Sequence, residues 1–262
     1  METTRSGPGL AVLVTRPEGQ ADKLIRALEQ RGHRVWHQPL LELEPARELT
    51  ASQRRHLAEL DGYSQVIFVS ANAVRFGMER ITDYWPQLPV GPGWCAVGDA
   101  TAALLATYGV PVTAPADQMT SEGLLRLQAL QDVEGRRILI VRGEGGRTLL
   151  KKELSRRGAR VDELGCYRRK RPRLPPGAMA RLLEASGIQL ILISSGEGLA
   201  NLQALLSPQE STKFRHIGLL VPSQRVADQA AAVGFDRVVV ADNASDAAML
   251  RALETFTPGS GE

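Results

Sequence analysis

Cysteine is almost missing from this chain. The two present, Cys95 and Cys166, lie far apart in sequence and give no disulfide framework, so both read as reduced thiols. Histidine is nearly as scarce. His33, His37, His56 and His216 are scattered and neither cysteine has a ligand-type neighbour in sequence, so no metal site is expected. His33 and His37 read as solvent-facing positions around a strand. No apolar run approaches membrane-spanning length, and METTRSGPG lacks the basic and apolar regions of a secretory signal. The expected compartment is the cytoplasm, with no membrane partner. A net charge of +3, with a pI near 9.1, is too mild to point to nucleic acid, though it suits an anionic small molecule. What remains is a globular composition, 43% hydrophobic and 23% charged, at a length that suits two domains.

What the chain does have is a copy of itself. Residues 138–161 lie without a gap over residues 12–35, and 10 of those 24 positions are identical. Among them are Arg16/Arg142, Gly32/Gly158 and Val35/Val161. Ile67 onward (IFVSANA) lies over Ile191 onward (ILISSGE), and Ser121-Glu122 over Ser245-Asp246. A period this long marks a duplicated domain, not a solenoid. Two similar units make the space between them the first place to look for a ligand.

Short β-branched apolar runs alternate with amphipathic stretches, which reads as an α/β fold with mostly parallel sheets. Strands are expected at 10–15, 34–38, 65–70, 93–97, 137–142, 160–164, 189–194, 216–221 and 236–240, with a weaker one near 110–113. Helices fill the intervals. Ala21, Leu24, Ile25 and Leu28 share one face and Gly32 suits the position just past the helix end; Leu149, Leu150, Leu154 and Gly158 repeat that arrangement. Residues 1–8 and 257–262 read as Gly/Pro/Ser-containing tails.

The repeat alone would place a domain boundary near 131–136. Two equivalent segments suggest otherwise: Pro39–Pro45 and Gly165–Pro172 each follow the repeated strand–helix–strand unit, and their prolines favour extended chain. The expectation is therefore a discontinuous first domain, 1–39 with 173–262. A second domain, 45–165, is inserted through linkers at 40–44 and 166–172.

Strand ends followed by small or hydroxylic residues recur: Thr15-Arg16, Ser70-Ala71-Asn72, Gly98 to Thr101, Arg142-Gly143, Ser194-Ser195 and Ser223. In an open parallel sheet ligands bind beyond the carboxyl ends of strands, where helix N-termini offer free amides and partial positive charge. Taken singly, such residues are ordinary caps and turns. Arg16 and Arg142 could clamp a carboxylate or fix a domain interface. Gly143–Gly146 lacks the spacing of a nucleotide loop, and no nucleophile elbow occurs. The basic run Arg168–Arg171 reads as a solvated linker; Tyr167 before it is a candidate proton donor.

In order and spacing these residues resemble the uroporphyrinogen-III synthase family over roughly 10–256. The motifs are Thr15-Arg16-Pro17, Phe68–Val74, Ala96–Ala102, Ser121–Leu125, Ile138–Glu144, Gly158 through Tyr167, and Ser194-Ser195. Val221–Ala227 departs from the Gly-x-x-Thr-Ala pattern of many members. The resemblance implies two flavodoxin-like α/β domains with parallel sheets joined by a two-stranded linker. It implies no cofactor and a linear tetrapyrrole octacarboxylate, hydroxymethylbilane, as substrate. Ring D would be inverted as the macrocycle closes with loss of water. Tyr167 falls on the family's candidate catalytic tyrosine. The expected contact surface is Thr15, Arg16, Ser70, Ala71, Asn72, Gly98, Thr101, Ser121, Glu122, Arg142, Gly143, Ser194, Ser195 and Ser223. A monomer making transient contact with the preceding pathway enzyme is expected. Competing readings are a two-lobed cytoplasmic anion sensor and a nucleotide-dependent transferase using Gly143–Gly146.

Overall fold

Ala-Val-Leu-Val at 11–14 shows no polar alternation, as a strand covered on both faces should not. In the computed structural model, which describes residues 9–146 and 148–257, it forms β1 (Ala11–Val14), every residue buried. Helix α1 (Asp22–Glu29) lays Leu24 and Leu28 on the sheet, and β2 (Arg34–His37) follows in parallel. The turn between them closes on Gly32, at φ +84°, where the His33 amide donates to Leu28 O at 3.2 Å. Only glycine takes that left-handed backbone cheaply. Gly158, at φ +83°, repeats it, with Ala159 N donating to Leu154 O at 3.1 Å.

Onward come β3 (Glu42–Pro45), α2 (Ala51–Ala58), β4 (Gln65–Phe68), α3 (Ala71–Tyr84), β5 (Gly93–Ala96), α4 (Asp99–Ala106) and β6 (Val112–Thr113). Then follow α5 (Ser121–Leu124), β7 (Arg137–Gly143), α6 (Leu149–Arg156) and β8 (Arg160–Lys170). The chain closes with α7 (Ala178–Ala185), β9 (Leu190–Leu192), α8 (Gly196–Ala204), α9 (Pro208–Phe214), β10 (Gly218–Val221), α10 (Gln224–Ala232), β11 (Val238–Val240) and α11 (Asp246–Leu253).

These elements form two compact units, Met1–Glu42 with Lys170–Glu262, and Leu43–Arg169. The first unit's sheet has the order β2-β1-β9-β10-β11, parallel throughout. Counted in that unit's own chain order this is 2-1-3-4-5, the flavodoxin-like arrangement. The second unit's sheet runs β3-β8-β7-β4-β5-β6. Counting from β7, it too reads 2-1-3-4-5, with β3 added at the edge. The second unit is thus a circular permutation of the first: the strand pair that opens one closes the other. This explains why the repeat persists past its first segment at nearly the same offset.

Each sheet is covered on both faces by its own helices. Leu13, Ile191 and Leu219 point to one core of the first unit, while Val12, Val14, Leu192 and Leu220 point to the other. In the second unit Phe68, Leu139 and Val141 face one core, Ile67, Ile138 and Ile140 the other. Burial pushes the two free thiols upward, Cys95 to about 11 and Cys166 to about 12.

Several expectations need revision. The strand placed at 160–164 runs on to Lys170, because its second half finds a partner in β3: Ala46 N donates to Cys166 O at 3.0 Å, and Glu44 pairs with Arg168 at 2.6 Å. The numbers rise on one strand as they fall on the other, so this edge is antiparallel. Arg168 is therefore an ion-paired strand residue and not a solvated one. His33 and His37 are not solvent-facing. His33 Nδ1 accepts from Leu10 N at 3.2 Å, and His37 Nε2 bonds Arg16 O at 2.8 Å. Of the tails, all but Thr257 lies outside the described residues.

Candidate functional site at the strand carboxyl ends

The second unit gathers a cavity of about 300 Å³ where β4 and β7 end. Five expected residues line it: Ser70, Ser121, Arg142, Gly143 and Tyr167, together with Glu144, Gly145, Gly146 and Arg169. Ser70 caps α3, its hydroxyl accepting from Ala73 N at 3.1 Å. Thr120, one residue before Ser121, caps α5 in the same way.

Tyr167 reaches this wall through an irregularity. β7 and β8 pair in register up to Arg142 and Gly165, then slip by one residue so that Gly143 faces Tyr167. Cys166 is the extra residue, its thiol turned to Arg142 O at 3.2 Å. Such a bulge re-aims the next side chain. The Tyr167 ring, 2% exposed, stacks on Phe76 with centroids 5.4 Å apart. It also lies against the Gly143 backbone, where an added Cβ would sit 2.6 Å from Cζ. Its hydroxyl stands 3.4 Å from Ser70 Oγ. Phe76 and Gly143 together confine the ring, and Tyr167 lines the cavity beside Ser70.

Arg142 is engaged within the unit. It donates to Glu163 Oε1 at 2.7 Å, to Gly143 O at 3.3 Å and to Gly145 O. Lys151 takes the other Glu163 oxygen at 2.8 Å. Partial burial works against ionising Glu163, but the bonds from Lys151 and Arg142 outweigh it and hold the carboxyl below its ordinary value.

The remaining expected residues lie elsewhere. Ala71 and Asn72 open α3, Gly98 caps α4, Thr101 is buried in the first turn of α4, and Glu122 lies in α5. In the first unit, Thr15 and Arg16 follow β1, Ser194 and Ser195 follow β9, and Ser223 caps α10 after β10. These are the carboxyl ends of three neighbouring strands. The Thr15 hydroxyl donates to Leu192 O at 2.6 Å, Ser195 caps α8 by accepting from Gly198 N, and Ser194 Oγ is buried without a partner. Arg16 is held by Asp246 and by Ala244 O.

Glu163, Lys151 and Phe76 went unnoticed in the sequence. Glu163 alone carried a signal: it lies 126 residues after His37, which contacts the other copy's arginine backbone. Among the described residues no group of three or more His, Cys, Asp or Glu could hold a metal, and no helix is long and apolar enough to cross a membrane.

Fold and site together define a flavodoxin-like two-unit α/β protein with polar surfaces at its strand carboxyl ends. A family described as uroporphyrinogen-III synthase HemD matches residues 22–251. The uroporphyrinogen-III synthase of Escherichia coli K12 is 36% identical over 252 residues, covering 94% of this chain and all of that one. The Salmonella typhimurium LT2 enzyme of the same name is 36% identical over 248 residues, again covering 94% of this chain and all of that one. Two solved structures share the fold. They are a mutant uroporphyrinogen III synthase from Thermus thermophilus (TM-score 0.58, 18% identity, 94% of this chain and 99% of that one) and the Helicobacter pylori 26695 enzyme (TM-score 0.58, 13% identity, 95% and 100%). The chain belongs to the uroporphyrinogen-III synthase family.

Proposed function

We propose that this chain is the cyclising lyase of tetrapyrrole biosynthesis, converting hydroxymethylbilane to uroporphyrinogen III. The observation that carries the reading is the family match over residues 22–251, joined to a strand-end cavity that presents a tyrosine hydroxyl. The substrate is a linear tetrapyrrole with eight carboxylates. Helix N-termini, serine and threonine hydroxyls and loop amides at Thr15, Ser70, Ala71, Asn72, Gly98, Thr101, Ser121, Glu122, Gly143, Ser194, Ser195 and Ser223 supply the kind of surface that holds such anions. The enzyme works as a monomer in the cytoplasm, the compartment that keeps its two free thiols reduced.

In the reaction, Tyr167 donates a hydrogen bond to the hydroxymethyl group as it leaves. That hydroxyl takes up a proton and departs as water, while the pyrrole nitrogen gives one up, leaving an azafulvene. Ring D attacks through its substituted carbon, the spiro-pyrrolenine fragments, and the ring closes inverted. Electron-rich pyrroles drive these steps, so the protein's share is chiefly positioning. The test is incubation with hydroxymethylbilane and separation of the products. Type III isomer in excess over the spontaneous type I is expected; type I alone would leave the anion-sensor reading in its place.

A further inference from the structure

The duplication preserves an arginine at the carboxyl end of the first strand of each unit's pattern, Arg16 just past β1 and Arg142 at the penultimate position of β7. A guanidinium there could be waiting for a substrate carboxylate. In both units it is already engaged. The Arg142 side chain is 13% exposed and bonded to Glu163, whose second oxygen is held by Lys151. The Arg16 side chain is 12% exposed and paired with Asp246. The two acids come from different places: one from strand β8, the other from helix α11. A residue kept for a ligand's charge would gain nothing from being neutralised twice over, by separate means.

Each arginine also gathers loop carbonyls of its own unit. Arg16 takes Ala244 O at 2.7 Å and Gln20 O at 3.4 Å. Arg142 takes Gly143 O and Gly145 O. In a trans peptide the N–H points opposite to the C=O, so amides following a clasped carbonyl turn away from the guanidinium. The Glu144 amide does so, donating to Tyr167 O at 2.7 Å. The clasp on Gly143 thus reaches the backbone of the cavity's tyrosine.

We propose that Arg142 is a positioning residue, fixing loop 143–146 and the Tyr167 backbone, and that Glu163 acts through it by holding the guanidinium in place. This rests on the reading that the cavity receives the tetrapyrrole. Glu163→Gln separates the possibilities by sign. A clasp that loosens lets the loop wander, so KM for hydroxymethylbilane rises severalfold and kcat falls by a smaller factor. A clamp released from its internal acid would instead bind the substrate better, and a lowered KM overturns the proposal. Arg142→Lys keeps the charge but loses the fork; it is expected to match Glu163→Gln, and a wild-type KM there also overturns the proposal. Lys151→Gln leaves the Arg142–Glu163 bond in place and gives a smaller shift in the same direction, providing a milder variant should Glu163→Gln not fold. Amide hydrogen exchange across 143–146 supplies a readout independent of turnover. It should quicken about tenfold in Glu163→Gln at unchanged melting temperature, and unchanged exchange overturns the clasp. A wild-type protein yielding no type III isomer would remove the reading on which this rests, while the exchange measurement would still decide the clasp.

Discussion

Gly143 has no side chain because the Tyr167 ring occupies the space one would need. Gly143 is not among the glycines with positive φ, so the requirement is steric. In Gly143→Ala the new methyl would sit 2.6 Å from Cζ of a ring that is also stacked on Phe76. Neither ring can retreat cheaply, and overpacking of this kind costs about 1–3 kcal/mol. A lowered melting temperature together with lost turnover is expected, since the ring that moves carries the hydroxyl. Tyr167→Phe keeps the ring and removes only the oxygen. Its turnover should fall about 10²-fold, the lower end for general-acid assistance, because this leaving group departs readily. Its melting temperature should hold. Wild-type turnover in that variant would leave Tyr167 as packing for β8. The tyrosine was legible in the sequence through the family resemblance, but its confinement was not: nothing in the spacing of residues 76, 143 and 167 announces that three elements meet there.

At the scale of elements, the first strand–helix–strand unit is pinned by a neutral histidine. His33 Nδ1 accepts the Leu10 amide and can do so only unprotonated. Burial, with Arg31 beside it, lowers its pKa below the ordinary 6.5. The unfolded chain therefore takes up the proton at higher pH than the folded one. The contribution is fully present above about pH 6.5 and is lost as the pH falls from there through the folded value. Melting temperatures measured between pH 8 and 5 should decline over that span, and His33→Asn should flatten this part of the decline. At the start of α3, Ser70→Ala removes a cap worth about 1 kcal/mol. Substrate use should weaken only modestly, because neighbouring amides share the anion; an abolished activity with intact folding would give Ser70 a larger part. Strands such as β1 and β7 could be read from the sequence because a strand buried on both faces is an unbroken apolar run. The long β8 could be read only in part: Gly165–Pro172 reads as extended linker, but not as one strand with 160–164. Its second half, Gly-Cys-Tyr-Arg-Arg-Lys, is polar at its end, and the β3 partner that makes it a strand lies more than a hundred residues away. Likewise Arg16 and Arg142 stood out as a repeated pair, while the acids that neutralise them lie 230 and 21 residues further on, and ion pairing leaves no periodicity to find.

Across the whole molecule, permutation puts all of the second unit in one continuous stretch, Leu43–Arg169, which enters on the edge strand β3 and leaves on its neighbour β8. Expressed alone, that stretch should fold with a single cooperative melting transition, since its sheet and both its cores are internal to it. A fragment without near-UV circular dichroism would show that it depends on the rest. The first unit has no such independence in time. β1 lies between β2 and β9, with Val12 opposite Leu190. On a ribosome adding ~5–20 residues per second, Val12 waits roughly 10–35 s for that neighbour. Throughout that interval the nascent chain carries an apolar strand with one open edge, the form in which strands recruit wrong partners. The inserted unit, whose last residue is made shortly before β9, is synthesised in full while its host still lacks three strands. Its position in the gene therefore sets a schedule for synthesis, in which the vulnerable strand is the first made and among the last to be covered.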